Sequence, residues 1–155
     1  EKEYLETYAQ SDRSFLFAVY EGSQMIGATT CIPLIDETAD IRQPFEEASY
    51  DLDAIFYFGE SILLSPFRGL GLGHRFFDER EAHARHFGTF KKTCFCSVER
   101  PEDHPARLLD YRPNDAFWLK RGYTKQSDLQ SILQWPDVGE TASTPKPMVY
   151  WMRDL

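Results

Sequence analysis

The segment SPFRGLGLGHRFF, Ser65 to Phe77, holds three of the nine glycines of this 155-residue chain, Gly69, Gly71 and Gly73, within five positions. An apolar run, IFYFGESILL, precedes it, and a stretch with helical spacing follows. Pro66 removes a backbone donor and helps to end a strand. A strand that passes through glycines into a helix suits an anion. The first amides of the helix lack internal acceptors, the helix dipole adds partial positive charge, and glycine lets a phosphate approach the main chain. Arg68 and Arg75 flank the turn and can add charge-assisted hydrogen bonds. From the glycines alone, a tight turn without a ligand remains an equal reading. Two phosphate loops fit poorly. A Walker loop needs Gly-Lys-Ser/Thr, and His74 follows the last glycine here. A dinucleotide fingerprint needs an early βαβ unit, and here a hairpin comes first.

Working outward, the spacing predicts a helix over Leu72 to Phe87, with Leu72, Phe76, Phe77, Ala84 and Phe87 on one apolar face and Gly88 as its stop. Arg80 falls inside that apolar arc, and the sequence offers no partner for it. Upstream, residues 1–12 read as a short helix. Phe15–Tyr20 and Met25–Ile32 read as a hairpin around Gly22. An acidic connection, Leu34 to Ala54, is predicted to hold a short helix after Pro44. The run IFYFGESILL is expected to be a central strand covered on both faces. Downstream come a strand, TCFCSVE, and an irregular stretch, RPEDHPARLLDYRP. A compact helix, NDAFWLKRGY, runs between an N-cap Asn114 and a stop at Gly122. Extended chain resumes at Tyr123, TASTPKP reads as a loop, and MVYWMRD is the last strand. The class is α/β (α+β): one domain, residues 1–155, with a mixed, mainly antiparallel central sheet flanked by helices.

Composition narrows the function. Hydrophobic residues make up 42% and aromatics 15%, which is a folding composition. A formal charge of −8 argues against nucleic acid and against anionic membranes. Three cysteines, Cys31, Cys94 and Cys96, are an odd number without a framework, so unpaired thiols in a reducing, cytoplasmic setting are expected. No apolar run approaches the ~18 residues of a membrane span. The first residue is Glu1, not Met.

Arg68, Gly71 and Gly73 match the Gln/Arg-x-x-Gly-x-Gly/Ala signature of the GCN5-related N-acetyltransferases, the GNAT superfamily. The preceding hairpin, NDAFWLKRGY and the final strand extend the resemblance over roughly residues 15 to 153. It implies a sheet whose fourth and fifth strands, here Ser61–Leu64 and Cys94–Val98, splay apart around the pantetheine of acetyl-CoA. It places the diphosphate on the amides of Arg68, Gly69, Leu70, Gly71, Leu72 and Gly73, with His74 and Arg75 adjoining. Ile62, Leu63 and Leu64 would supply strand-edge groups, and Asn114 and Phe117 further cofactor contacts, although Asn114 reads equally as a plain N-cap. The family's first strand is expected to lie outside this chain, and a homodimer is compatible with the fold.

The implied reaction is transfer of an acetyl group from acetyl-CoA to a primary amine by direct attack on the thioester. An alkylamine of pKa ~10.4 is mostly protonated at neutral pH, so a base helps. Glu60, among Phe56, Phe58, Ile62 and Leu63, is the candidate, with burial expected to raise its pKa. The competing reading pairs Glu60 structurally with an arginine such as Arg80. A backbone N–H of Leu63 or Leu64 would polarise the carbonyl. Trp118 occupies the position where the family often has an acidic tyrosine, and indole cannot serve. Tyr111, Tyr123, Cys94, Cys96 and Ser97 are substitutes by position, or no acid is needed, and the role stays unassigned. Glu79, His83 and His86 share a helical face but read as a solvated surface, so no metal is expected. The seven acids between residues 34 and 54 read as a solvated run; the resemblance places this connection over the acceptor side, which implies a cationic amine acceptor. The alternatives are a non-catalytic acyl-CoA-binding or sensing module, and an interaction domain with a purely structural turn.

Overall fold

The computed structural model describes residues 2–104, 107, 111–137 and 139–155. Five residues of the predicted irregular stretch RPEDHPARLLDYRP, at 105, 106 and 108–110, therefore lie outside the described residues. The elements run α1 (Lys2–Gln10), β1 (Phe15–Glu21), β2 (Gln24–Pro33), α2 (Ala39–Glu47), β3 (Ile55–Leu63), α3 (Leu72–His86), β4 (Lys92–Val98), α4 (Asp115–Lys120), β5 (Thr124–Trp135) and β6 (Thr144–Asp154). The six strands form one sheet in the order β1-β2-β3-β4-β6-β5. Every neighbouring pair is antiparallel except β3 and β4. No helix among the described residues is long and apolar enough to cross a membrane.

Alternation along β3 explains the two-layered core. Ile55 and Tyr57 enter a cluster with Tyr8 of α1 and Ile41 and Phe45 of α2. Phe56 and Phe58 enter the opposite cluster, with Phe77 and Ala84 of α3 and Trp151 of β6. Phe117 and Trp118 of α4 pack against the second cluster. The expectation that the whole run is covered on both faces holds only for its first half. Glu60, Ser61 and Ile62 are exposed, Ile62 to 56%. β3 pairs with β4 only at Ile55–Lys92, Phe56–Thr93 and Tyr57–Cys94, and then loses that neighbour.

Two further expectations are corrected. Pro44 lies inside α2, whose N-cap is Thr38, and does not precede the helix. Ile41 and Phe45 share one face at i, i+4, and Phe45 meets Tyr150 edge-on at 4.8 Å; this packing outweighs the missing donor. The predicted loop TASTPKP is strand from Thr144 onward. Pro147 falls where the β4–β6 ladder ends: its carbonyl still accepts from Glu99 N–H at 2.8 Å, it has no N–H to return that bond, and the pairing stops there, with Pro145 beyond it.

One irregularity sets up the site. β2 and β3 pair Thr29 with Ser61 and Cys31 with Phe58, so Thr30 alone faces both Gly59 and Glu60. This bulge shifts side-chain parity by one residue. A Cβ on Gly59 would fall on the Tyr8 hydroxyl oxygen, 2.6 Å from that of Tyr4 and 2.8 Å from Thr30 Oγ1. Gly59→Ala should therefore lower unfolding free energy by about 1–3 kcal/mol, read as a drop in urea midpoint at unchanged m-value. A midpoint equal to wild type would show that the bulge is not held by these hydroxyls.

Candidate active site

Where β3 and β4 separate, a cleft of about 980 Å³ opens. It is bounded by Ser61–Leu64 on one strand, Phe95 and Cys96 on the other, Gly73, Phe76, Phe77 and Arg80 of α3 beneath, and Asn114, Phe117 and Trp118 at the side. Leu64 N–H donates to Ile26 O at 2.9 Å. Polar groups of successive residues point to opposite edges of a strand, so those of Leu64 and Ile62 face β2, and those of Ser61 and Leu63 face the gap. The Leu64 amide, expected to polarise a carbonyl, is thus already bonded to its neighbour, and the backbone of Ile62 turns away as well. Ser61, absent from the expected contacts, belongs among the gap-facing groups; only the β2 register could reveal it. Leu63 O accepts from Arg68 Nε at 3.1 Å.

The glycine segment begins with a 3-10 turn over Ser65–Phe67, in which Arg68 N–H donates to Ser65 O at 3.2 Å. That amide is therefore not available to an anion. Gly69 (φ 76°) and Gly71 (φ 84°) are left-handed, and Gly71 is the N-cap of α3. Arg75 N–H reaches back to Gly71 O at 3.2 Å, which leaves the amides of Leu72, Gly73 and His74 without an intrahelical acceptor. No protein atom lies within 4 Å of a Cβ built at Gly69 or Gly71, so their conformation, and not crowding, demands glycine. A Cβ at Gly73 would sit 3.7 Å from Phe117 Cζ, an ordinary contact. Leu70 is exposed, and Arg75 is ion-paired with Glu79 on its own helix. The His74 ring meets Phe117 edge-on at 4.8 Å, so α4 walls the N-terminus of α3. Asn114 is at the N-cap position of α4, but its side chain makes no capping bond and it lines the cleft.

Glu60 is exposed, against the expectation of burial. The bulge explains this. Ser61 Oγ lies 2.8 Å from Thr29 Oγ1 on the α3 side of the sheet, so the adjacent Glu60 faces the α1 side. Its N–H is shared between Thr30 Oγ1 (3.0 Å) and Tyr4 Oη (3.1 Å). Tyr4, whose helical spacing with Tyr8 was the only clue in the sequence, fixes this segment from α1; Tyr4 and Thr30 hydroxyls are 2.6 Å apart.

The substitutes for an acid divide sharply. Tyr123 is buried between Thr93 Oγ1 (2.9 Å) and Glu81 (3.1 Å), and burial with the Glu81 charge raises its pKa further. Cys94 is fully buried. Ser97 Oγ accepts from Trp151 Nε1 at 3.1 Å, and Trp118 packs on Phe95 and Trp151 as a wall. Tyr111 is exposed at the cleft rim. Cys96 alone puts a thiol into the cleft near the fork, 3.1 Å from Tyr57 Oη. Burial pushes its pKa up to about 11.

Other candidates resolve into structure. His83 Nε2 is 2.9 Å from Arg13 O and its ring stacks on Phe15 at 4.7 Å. With Glu79 held by Arg75, the three side chains do not converge, and no such metal-binding group exists among the described residues. In the acidic connection, Asp36 accepts from Ser11 Oγ (2.7 Å), buried Glu37 from Tyr8 Oη (2.7 Å), and Asp51 from the Asp53 amide.

This is the fold of the GNAT acetyltransferases. An IAA acetyltransferase from Bacillus cereus superposes with a TM-score of 0.61 over 100% of this chain and 85% of its own, at 13% identity. A GNAT family acetyltransferase from Elizabethkingia anophelis, solved with acetyl-CoA bound, gives 0.60 over 100% and 84%, also at 13% identity. A ribosomal-protein-alanine N-acetyltransferase from Brucella melitensis gives 0.58 over 99% and 76%, at 16% identity. At such identities the likeness is one of fold. No protein-family model and no curated sequence matches the chain.

The thiols provide a test of the cleft's interior. Burial raises the pKa of Cys31 to about 12, of Cys96 to about 11, and that of Cys94 well above its usual value. The thiolate is the reactive form, so alkylation of native protein at pH 8 should be at least ~100-fold slower than of unfolded protein. The Cys96 rate should climb until pH 10–11 and not level near ~8.5. A rapid, stoichiometric reaction at pH 8 would mean that the cleft is wetter than described.

Proposed function

We propose that the protein is an N-acyltransferase that moves an acyl group from an acyl-CoA, acetyl-CoA in the simplest case, to a primary amine. One observation carries this reading: β3 and β4 part after three residue pairs, and the gap they leave leads to a helix N-terminus built on left-handed Gly69 and Gly71. The residues fit the cofactor at both ends. The amides from Gly69 to His74 form a concave donor set for a diphosphate, with Arg68 beside them. The gap-facing groups of Ser61 and Leu63 can pair with the amides of a pantetheine as they would with a neighbouring strand. Phe117 and Asn114 close the side.

Bound there, the thioester supplies an electrophilic carbonyl carbon and a thiolate of pKa ~8.5 that leaves without prior protonation. The Ser61 N–H, the gap-facing donor nearer the fork, stabilises negative charge on the carbonyl oxygen. Glu60, on the α1 face, accepts the proton that the amine loses as its lone pair forms the new C–N bond and the C–S pair passes to sulfur. Cys96 does not act as the acid: with a pKa near 11, donation to a thiolate of pKa ~8.5 is uphill by roughly 3 kcal/mol. Trp118 at the family's tyrosine position is then no obstacle. A cationic acceptor is supported less strongly by the acidic connection, because Asp36, Glu37 and Asp51 serve the fold.

The experiment is acetyl-CoA turnover, followed as free thiol, against polyamines, aminoglycosides, amino acids and peptide N-termini. At least one amine should release thiol. Glu60→Gln should lower kcat/KM by about 10²-fold at pH 7, and by less as pH approaches the amine pKa of ~10.4. A rise in Tm with acetyl-CoA but no thiol release from any amine would leave a binding module. No Tm rise at millimolar acetyl-CoA would leave the turn purely structural.

A further inference from the structure

Among the described residues, four charged side chains line the cleft. Glu60, Arg68 and Arg112 are exposed, whereas Arg80 is 2% exposed. Its Nε donates to Phe76 O at 3.2 Å, and Cζ lies 4.4 Å from the Phe58 ring centroid and 4.7 Å from that of Phe77. Among the described residues no carboxylate stands within ion-pair distance, and neither Nη has a hydrogen-bond acceptor. The adjacent Glu81 is already taken by Arg121, Arg153 and Tyr123, each at 3.1 Å. Burial lowers the Arg80 pKa to about 10, which still leaves it charged at neutral pH. Two aromatic faces compensate a buried cation only in part, and a guanidinium fork with both Nη groups open toward a cavity is the geometry that receives a carboxylate.

Its position identifies which part of a ligand it meets. Phe58 follows the last β3–β4 pair, so the guanidinium over its ring marks the fork of the cleft. Leu63, at the mouth, is five residues away, about 16 Å along an extended strand. The acyl group is the end of an acyl-CoA farthest from its diphosphate, and the fork is the end of the cleft farthest from the α3 N-terminus. Resting on the function proposed above, we infer that the acyl donor ends in a carboxylate, an ω-carboxyacyl thioester of coenzyme A, and that Arg80 binds that carboxylate through its two Nη groups. The transferred carboxylate is unchanged in the reaction: C–N forms, C–S breaks, and a cationic amine becomes an amide bearing a negative charge.

Binding tests this without an acceptor. Calorimetry would compare free CoA with two stable thioethers, S-ethyl-CoA and S-(3-carboxypropyl)-CoA. Wild type should bind the carboxylate analogue at least about tenfold more tightly than the ethyl analogue, and Arg80→Gln or Arg80→Met should erase that difference. Equal affinities, or preference for ethyl, overturn the inference while tight CoA binding upholds the acyltransferase reading. Failure of all three to bind overturns both. Should the Arg80 variants not fold, the wild-type comparison decides alone.

Discussion

β3 and β4 hold each other for three residue pairs and then diverge, although backbone polar groups in a sheet ordinarily demand partners. The divergence is affordable because each strand keeps its other neighbour. β4 is paired with β6 from Lys92 to Val98, and β3 rejoins β2 beyond the bulge. Among the described residues the inner edges, at Ser61 and Leu63 on β3 and beyond Cys94 on β4, have no strand partner, and Leu63 O accepts from Arg68 Nε. Those edges border a cleft of about 980 Å³ whose walls include Phe76, Phe77, Phe95 and Phe117.

Two consecutive residues of α3 show how the surroundings are tied to that slot. Glu81 is a saturated buried anion: Arg121 from the end of α4, Arg153 from β6 and Tyr123 from the start of β5 all converge on it. Arg121 also reaches Asp78 at 2.8 Å, so the segment that carries Phe117 is fixed against α3. Arg80, one residue earlier and facing the cleft, has no such set. The contrast separates a charge that the fold surrounds with partners from one to which, among the described residues, it supplies none.

Local signals carried far. The hairpin followed from alternation and Gly22, and α3 with its turn followed from apolar spacing and the glycine cluster, because those features are set within a few residues. Parity did not follow. Whether Leu64 or Leu63 turns its amide to the gap depends on the register with β2, and a single bulge at Gly59–Glu60 reverses the answer. The exposure of Glu60 follows from the same bulge, a matter of pairing with β2 that has no trace in the residues around it. Pro44 misled because a proline favours a helix's first turn, while here the burial of Ile41 and Phe45 decided. Arg80 was legible as an anomaly, and its surroundings were not.

The bulge also divides the chemistry between the two faces of one strand. Phe58 and Ser61 turn toward α3, and the guanidinium of Arg80 sits over Phe58 on that side. Glu60, displaced by the extra residue, turns toward α1, where the Tyr4 and Thr30 hydroxyls hold its backbone. Without the bulge, Glu60 would have the parity of Phe58 and lie on the same side as the arginine, where a salt bridge would neutralise both. A carboxylate and a buried cation can therefore coexist within one cleft because a strand of nine residues changes parity in its middle.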